Sequence, residues 1–102
     1  MVNAGANSSQ SAKLAFSTFT STVGNQTLSI PAGALEVSLA NTGASAATFS
    51  AASMAPATTA LKPVTDPDGA TLNFVAPNGY TLEAMTVVAP VGVTIDYMVI
   101  KP

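Results

Sequence analysis

Ten Ser, three Lys, three Asp and two Glu carry nearly all the reactive chemistry in this 102-residue chain, which has no His and no Cys. A serine nucleophile needs a base beside it and a group to orient that base. Without His, the only available base is a lysine, Lys13, Lys62 or Lys101, and surface lysines held in water are the ordinary role. Paired carboxylates could serve glycoside hydrolysis. Glu36, Glu83 and Asp96 each stand on the polar parity of an alternating segment, where sparse carboxylates solubilise or protect an edge. The stretch DPDG at 66–69 has the Asp-x-Asp spacing of oxygen-ligand loops, but the further ligands and terminal Glu of an EF-hand are missing. A tight turn into the segment ATLNFV accounts for it better. Asn7-Ser8-Ser9 and Asn25-Gln26-Thr27 match the glycosylation sequon, as chance produces in a chain so rich in Ser and Thr. These residues point away from an enzyme, and no cofactor or metal site is expected.

Composition narrows the classes further. The length suits one domain. Charged residues make up 8% of the chain, against roughly 25% in an average soluble domain. With net charge -2 and three Lys, phosphate contacts to nucleic acid are not expected. There is no apolar run of about 18 residues, so no membrane partner is expected, and the N-terminal MVNAGANSSQSAK does not read as a secretory signal. The hydrophobic fraction is 48%, but 19 of those residues are Ala, which leaves enough large side chains for a thin core between two sheets. The surface is then Thr, Ser, Asn and Ala. Such a surface has little charge repulsion to keep molecules apart, which suits an assembly subunit.

Those side chains have to be positioned by short strands. Turn chemistry recurs at Gly24-Asn25, Pro31-Ala32-Gly33, Asn41-Thr42-Gly43, Asp66-Pro67-Asp68-Gly69, Pro77-Asn78-Gly79 and Pro90-Val91-Gly92. The spacing predicts an all-β antiparallel β-sandwich, jelly-roll-like, with seven or eight strands and no helix beyond one turn. Strands are expected over 13–22, 26–30, 34–40, 45–50, 70–76, 80–89 and 93–100. Residues 51–65 read as a long loop or a loop with one short strand. Phe16 and Phe19 lie on opposite parities, which predicts a bulge or a bend near Ser17. In 34–40, Leu35, Val37 and Leu39 are expected inward and Ala34, Glu36, Ser38 and Ala40 outward. Residues 1–12, rich in Ser, Asn, Ala and Gly, have the composition of an N-terminal arm, and 13–102 form the single sandwich domain.

Two segments are apolar on both parities. In 80–89, Leu82, Ala84 and Val88 share one parity and Met85 and Val87 the other. In VTIDYMVIKP, Val93, Ile95, Tyr97 and Val99 share one parity, and Met98 and Ile100 close the other. An outward apolar row needs a cover. Loop 51–65 of the same chain could supply it. The alternative is a subunit interface through Met85, Val87, Met98 and Ile100, joined by Val2, Asn3 and Asn7 of the arm.

The stretches TLSIPAGALEVSLANTGASAATF and ATLNFVAPNGYTLEAMTVVA, with IPAG before a strand, NTG after it and APNGYTL ahead of the penultimate strand, resemble small β-sandwich proteins of tailed-phage heads, the decoration or cement proteins. The resemblance spans about residues 26–100. It implies a structural virion protein on the outer capsid surface, bound to the major capsid protein, self-associating as a homotrimer and reinforcing capsomer contacts, with the arm reaching a neighbour. It carries over no catalytic residue. Two other readings stand beside it. One is a receptor- or carbohydrate-binding module of a phage tail or fibre, with a pocket near Asn78, Gly79 and Tyr80. The other is a bacterial surface or matrix protein that polymerises.

Overall fold

The computed structural model describes residues 13–54 and 57–102. The proposed arm, with Val2, Asn3 and Asn7, lies outside the described residues. Eight strands follow one another: β1 (Lys13–Thr20), β2 (Gln26–Ile30), β3 (Glu36–Asn41), β4 (Ala47–Ala51), β5 (Thr58–Leu61), β6 (Thr71–Val75), β7 (Met85–Ala89) and β8 (Thr94–Lys101). One 3-10 turn, Pro67–Gly69, is the only helical element among the described residues. Each turn sequence named above falls between strands, except that Asn41 is the last residue of β3. In the β7–β8 turn, Gly92 has φ 85° and Val93 N–H donates to the Pro90 carbonyl at 3.2 Å. Only a residue without Cβ takes that third turn position cheaply.

The strands form two four-stranded antiparallel sheets, one ordered β1-β8-β3-β6 and the other β2-β7-β4-β5. The pairs are 1 with 8, 2 with 7, 3 with 6 and 4 with 5, which is one long antiparallel hairpin folded over on itself. Contacts of β8 with β3 and of β7 with β4 close the wrap. This is the jelly-roll arrangement.

Alternate side chains from both sheets meet in the middle: Leu28 and Ile30 of β2, Val37 and Leu39 of β3, Phe49 of β4, Met85 and Val87 of β7, and Ile95 and Val99 of β8. The rings of Phe49 and Phe74 stack across the sandwich, with centroids 5.1 Å apart and planes 14° apart. Each large side chain removed from water here contributes about 1.5–3 kcal/mol.

Four expectations are corrected. Met85 and Val87 do not form an outer row; they are 4% and 0% exposed, in the core. The strand begins at Met85 rather than residue 80, and β7 is flanked by β2 and β4, so its inner parity is Met85, Val87 and Ala89. Val88 takes the outward side, and Leu82 reaches the core edge from irregular chain. Second, β1 has no bulge near Ser17. Its register with β8 runs unbroken from Lys13 opposite Lys101 to Thr20 opposite Thr94, so Phe16 faces out and Phe19 in. Third, Ala34 is buried, because it precedes β3 and is clamped against Leu82: Leu82 N–H donates to the Ala34 carbonyl at 2.7 Å and Gly33 N–H to the Leu82 carbonyl at 2.9 Å. Fourth, the described residues of the stretch 51–65 do not cover Met98 and Ile100. Its strand β5 edges the other sheet beside β4.

A buried polar corner fixes the turn after β3. Asn41 is 1% exposed and satisfied at both ends of its amide. Its Nδ2 donates to the carbonyls of Ser45 at 2.9 Å and Leu61 at 3.1 Å, and its Oδ1 accepts from Gly43 N–H at 2.8 Å. Gly43 packs closely there: a Cβ would meet the Val93 Cα at 3.1 Å, so the turn would have to give way. Asn41→Ala orphans one buried and two part-buried partners and should lower stability by about 2–3 kcal/mol, with Tm falling roughly 10–20 °C. Calorimetric or fluorescence-dye melts of the variant check it.

Candidate functional surface

The outer face of the β1-β8-β3-β6 sheet carries three exposed large apolar side chains, Leu14, Phe16 and Val75. Because all four strands are antiparallel neighbours, their outward residues line up in rungs. Leu14, Ile100, Glu36 and Val75 form one rung, Phe16, Met98, Ser38 and Asn73 the next, and Thr18, Asp96, Ala40 and Thr71 the third. On the β1–β8 side the first two rungs are apolar. Phe16 is 73% exposed and Leu14 61%, while Met98 and Ile100 are half-buried between their neighbours. Directly opposed cross-strand pairs of this kind hold each other in place. The third rung and the one beyond it are polar: Thr18 Oγ1 donates to Asp96 Oδ1 at 2.9 Å, and the Thr20 and Thr94 hydroxyls lie 3.1 Å apart. Ser38 Oγ donates to Asn73 Oδ1 at 2.5 Å across β3 and β6.

A groove of about 420 Å³ lies where the apolar and polar rungs meet. Phe16 and Met98 wall one part, and Thr18, Asp96, Ser38 and Thr71 the other. Ala40 lies between Asp96 and Thr71, and its single methyl leaves the floor low. The surface therefore offers one aromatic face, a thioether, several hydroxyls and one carboxylate already oriented by Thr18. That set can grip a surface or a polyol.

The other candidates are scattered. Glu83 accepts from Ser53 through both its backbone N–H, at 3.2 Å, and its hydroxyl, on the β4 end of the other sheet. Glu36 stands at the far end of the outer face from Asp96 along β3, so the three carboxylates are not brought together. Among the described residues, no group of three or more His, Cys, Asp or Glu is placed to hold a metal. In DPDG, Asp66 pairs with Lys62 at 3.6 Å, and Lys62 N–H donates to the Gly69 carbonyl at 2.8 Å, which makes the stretch a turn closing back on β5. Asn78, Gly79 and Tyr80 sit in an exposed turn, with Tyr80 N–H donating to the Pro77 carbonyl at 3.0 Å, and they do not line the groove.

Of the residues expected at an interface, Met98 and Ile100 are on this face and Met85 and Val87 are not. Phe16 and Leu14 are the members that sequence reasoning missed. Their signal was shared even parity, which the opposite parity of Phe19 obscured. No family model, no characterised protein and no solved structure matches the chain. The surface is thus interpreted from its own geometry.

The contrast between the two faces is measurable. Phe16→Ser removes an exposed ring and should change unfolding free energy by no more than about 1 kcal/mol. Phe49→Ala, which empties the stacked core position, should cost about 3–5 kcal/mol. Denaturant titration of both variants checks the assignment.

Proposed function

We propose that this chain is a structural virion subunit, a capsid decoration or cement protein that docks on the outer surface of a phage head through the outer face of the β1-β8-β3-β6 sheet. The observation that carries the reading is the pair of exposed apolar rungs, Phe16 with Met98 and Leu14 with Ile100. A small domain does not ordinarily leave such contiguous apolar surface in water unless a partner takes it up. The polar rungs beside it, fixed by hydrogen bonds within the sheet, give the contact a rim that sets register.

Three further features support an architectural role. The charge is low, so packed copies repel one another weakly. The eight strands close into two packed sheets, which suits a clamp between shell subunits. The jelly roll is shared by viral capsid and lectin domains, which agrees with the resemblance in the turn sequences but does not by itself carry function. In this reading the partner is the major capsid protein, and reinforcement comes from spanning two capsomers. The groove favours a second reading, a carbohydrate-binding module in which a sugar stacks on Phe16 and hydrogen-bonds to Asp96 and Ser38.

Co-sedimentation of the protein with purified heads tests the proposal. Met98→Asp should fold as the parent does, because the inward set Val93, Ile95 and Val99 is untouched. It should lower head affinity at least about a hundredfold, since a carboxylate buried without a partner costs several kcal/mol. Undiminished binding by the folded variant would remove this face from the contact. Failure of the parent to bind heads, with retention on a glycan array lost in Phe16→Ala, would establish the second reading instead.

A further inference from the structure

We infer that β1 is a self-pairing edge, through which two copies of this chain join into one continuous sheet about a two-fold axis. Each sheet has two edge strands: β1 and β6 in one, β2 and β5 in the other. Three of the four are short and guarded. β2 has five residues and runs into Pro31; β5 has four and runs into Lys62-Pro63; β6 has five and ends just before Ala76-Pro77. Short length, proline and lysine are the usual means by which an edge avoids pairing. β1 lacks them. It has eight residues, KLAFSTFT, without proline, with a charge only at Lys13, and in unbroken register with β8. Among the described residues no strand pairs with its other side. Its free backbone groups are a template for one more strand.

The edge specifies the occupant. A two-fold axis perpendicular to the sheet brings two copies of one strand together antiparallel, so each edge satisfies the other and the assembly closes at two. Directly opposed residues share a face, so the axis must fall on a residue and not between two. Centring it on Phe16 pairs the whole of 13–19 with its symmetry mate. It sets the most exposed ring of the outer face against its own copy, and it places Leu14 opposite Thr18 and Ala15 opposite Ser17. Ala15 and Ser17 lie on the core-side parity yet are exposed, so the sandwich leaves this part of β1 clear on both faces. The two outer faces then join, and the apolar rungs of one copy continue into those of the other. A three-fold assembly would require a different, head-to-tail contact. The pairing does not depend on what the outer face binds.

Sedimentation equilibrium of the isolated protein, without capsids, gives the first readout, and a mass of two chains is expected. Phe16→Glu places two carboxylates on the axis and should yield a monomer with an unchanged β-type circular dichroism spectrum. Because the chain has no Cys, single cysteines report the register without background. Ala15→Cys mixed with Ser17→Cys should cross-link on oxidation in high yield, and neither variant should do so alone, since opposed antiparallel positions lie within disulfide reach and diagonal ones beyond it. A monomeric or trimeric parent, a dimer that survives Phe16→Glu, or a mixed pair that stays reduced while the dimer persists would overturn the inference.

Discussion

β8 is held on both sides, by β1 and by β3, and its two-residue period sets the character of both faces of the sheet. Ile95 and Val99 enter the core with Tyr97 packed at its margin, while Asp96, Met98 and Ile100 take the outer surface. Each neighbour in the sheet inherits that alternation through the ladder. Once Met98 is outward, Phe16 and Ser38 are outward, and once Val99 is inward, so are Ala15 and Val37. A slip of one residue would put Asp96 in the core and Ile95 in water, so the register is strongly specified. The rungs of the outer face follow from this register.

The ends of the sandwich are tied by polar groups that have few alternatives. Asn41 bridges the chain after β3 to the carbonyl ending β5, and Ser21, fully buried, anchors the turn after β1. Ser21 N–H donates to the Val93 carbonyl, and the Ser21 carbonyl accepts from Gly92, so the β1–β2 and β7–β8 turns are fastened together. These bonds tie β1 and β8 together at their polar end, beside Thr20 and Thr94, and so fix the register that lines up the apolar rungs farther along. A buried amide fully paired in this way costs little to keep and much to disturb. The core made largely of Val, Leu, Ile and Ala can therefore be thin and still support one defined surface.

That surface combines apolar rungs, ordered hydroxyls and almost no charge. Thr18 is hydrogen-bonded to Asp96 and Ser38 to Asn73, which restrains these side chains on the sheet. Solubility is a separate matter: with so few charges, little opposes contact between copies. The exposed apolar side chains and the unguarded edge lie on the same sheet.

Turn chemistry and local patterning made the all-β sandwich and most of its strands legible in the sequence. Pro and Gly or Asn at each break restrict φ whatever the chain does elsewhere, and clean alternation in VSL of β3 leaves one way to face a core. The strand of 51–65 was foreshadowed only as one possibility. Where both parities are apolar, as in MTVVA of β7 and LAF of β1, the residues alone do not say which row is inside. Tertiary structure decided that. The other sheet packs over Met85 and Val87 of β7, whereas Leu14 and Phe16 of β1 point to the outer face of their sheet, which nothing among the described residues covers, so similar side chains are buried in one and exposed in the other. Hydrophobicity is a property of each residue, but burial depends on which strands pair and which face the second sheet covers, and both are set by contacts distant in the chain.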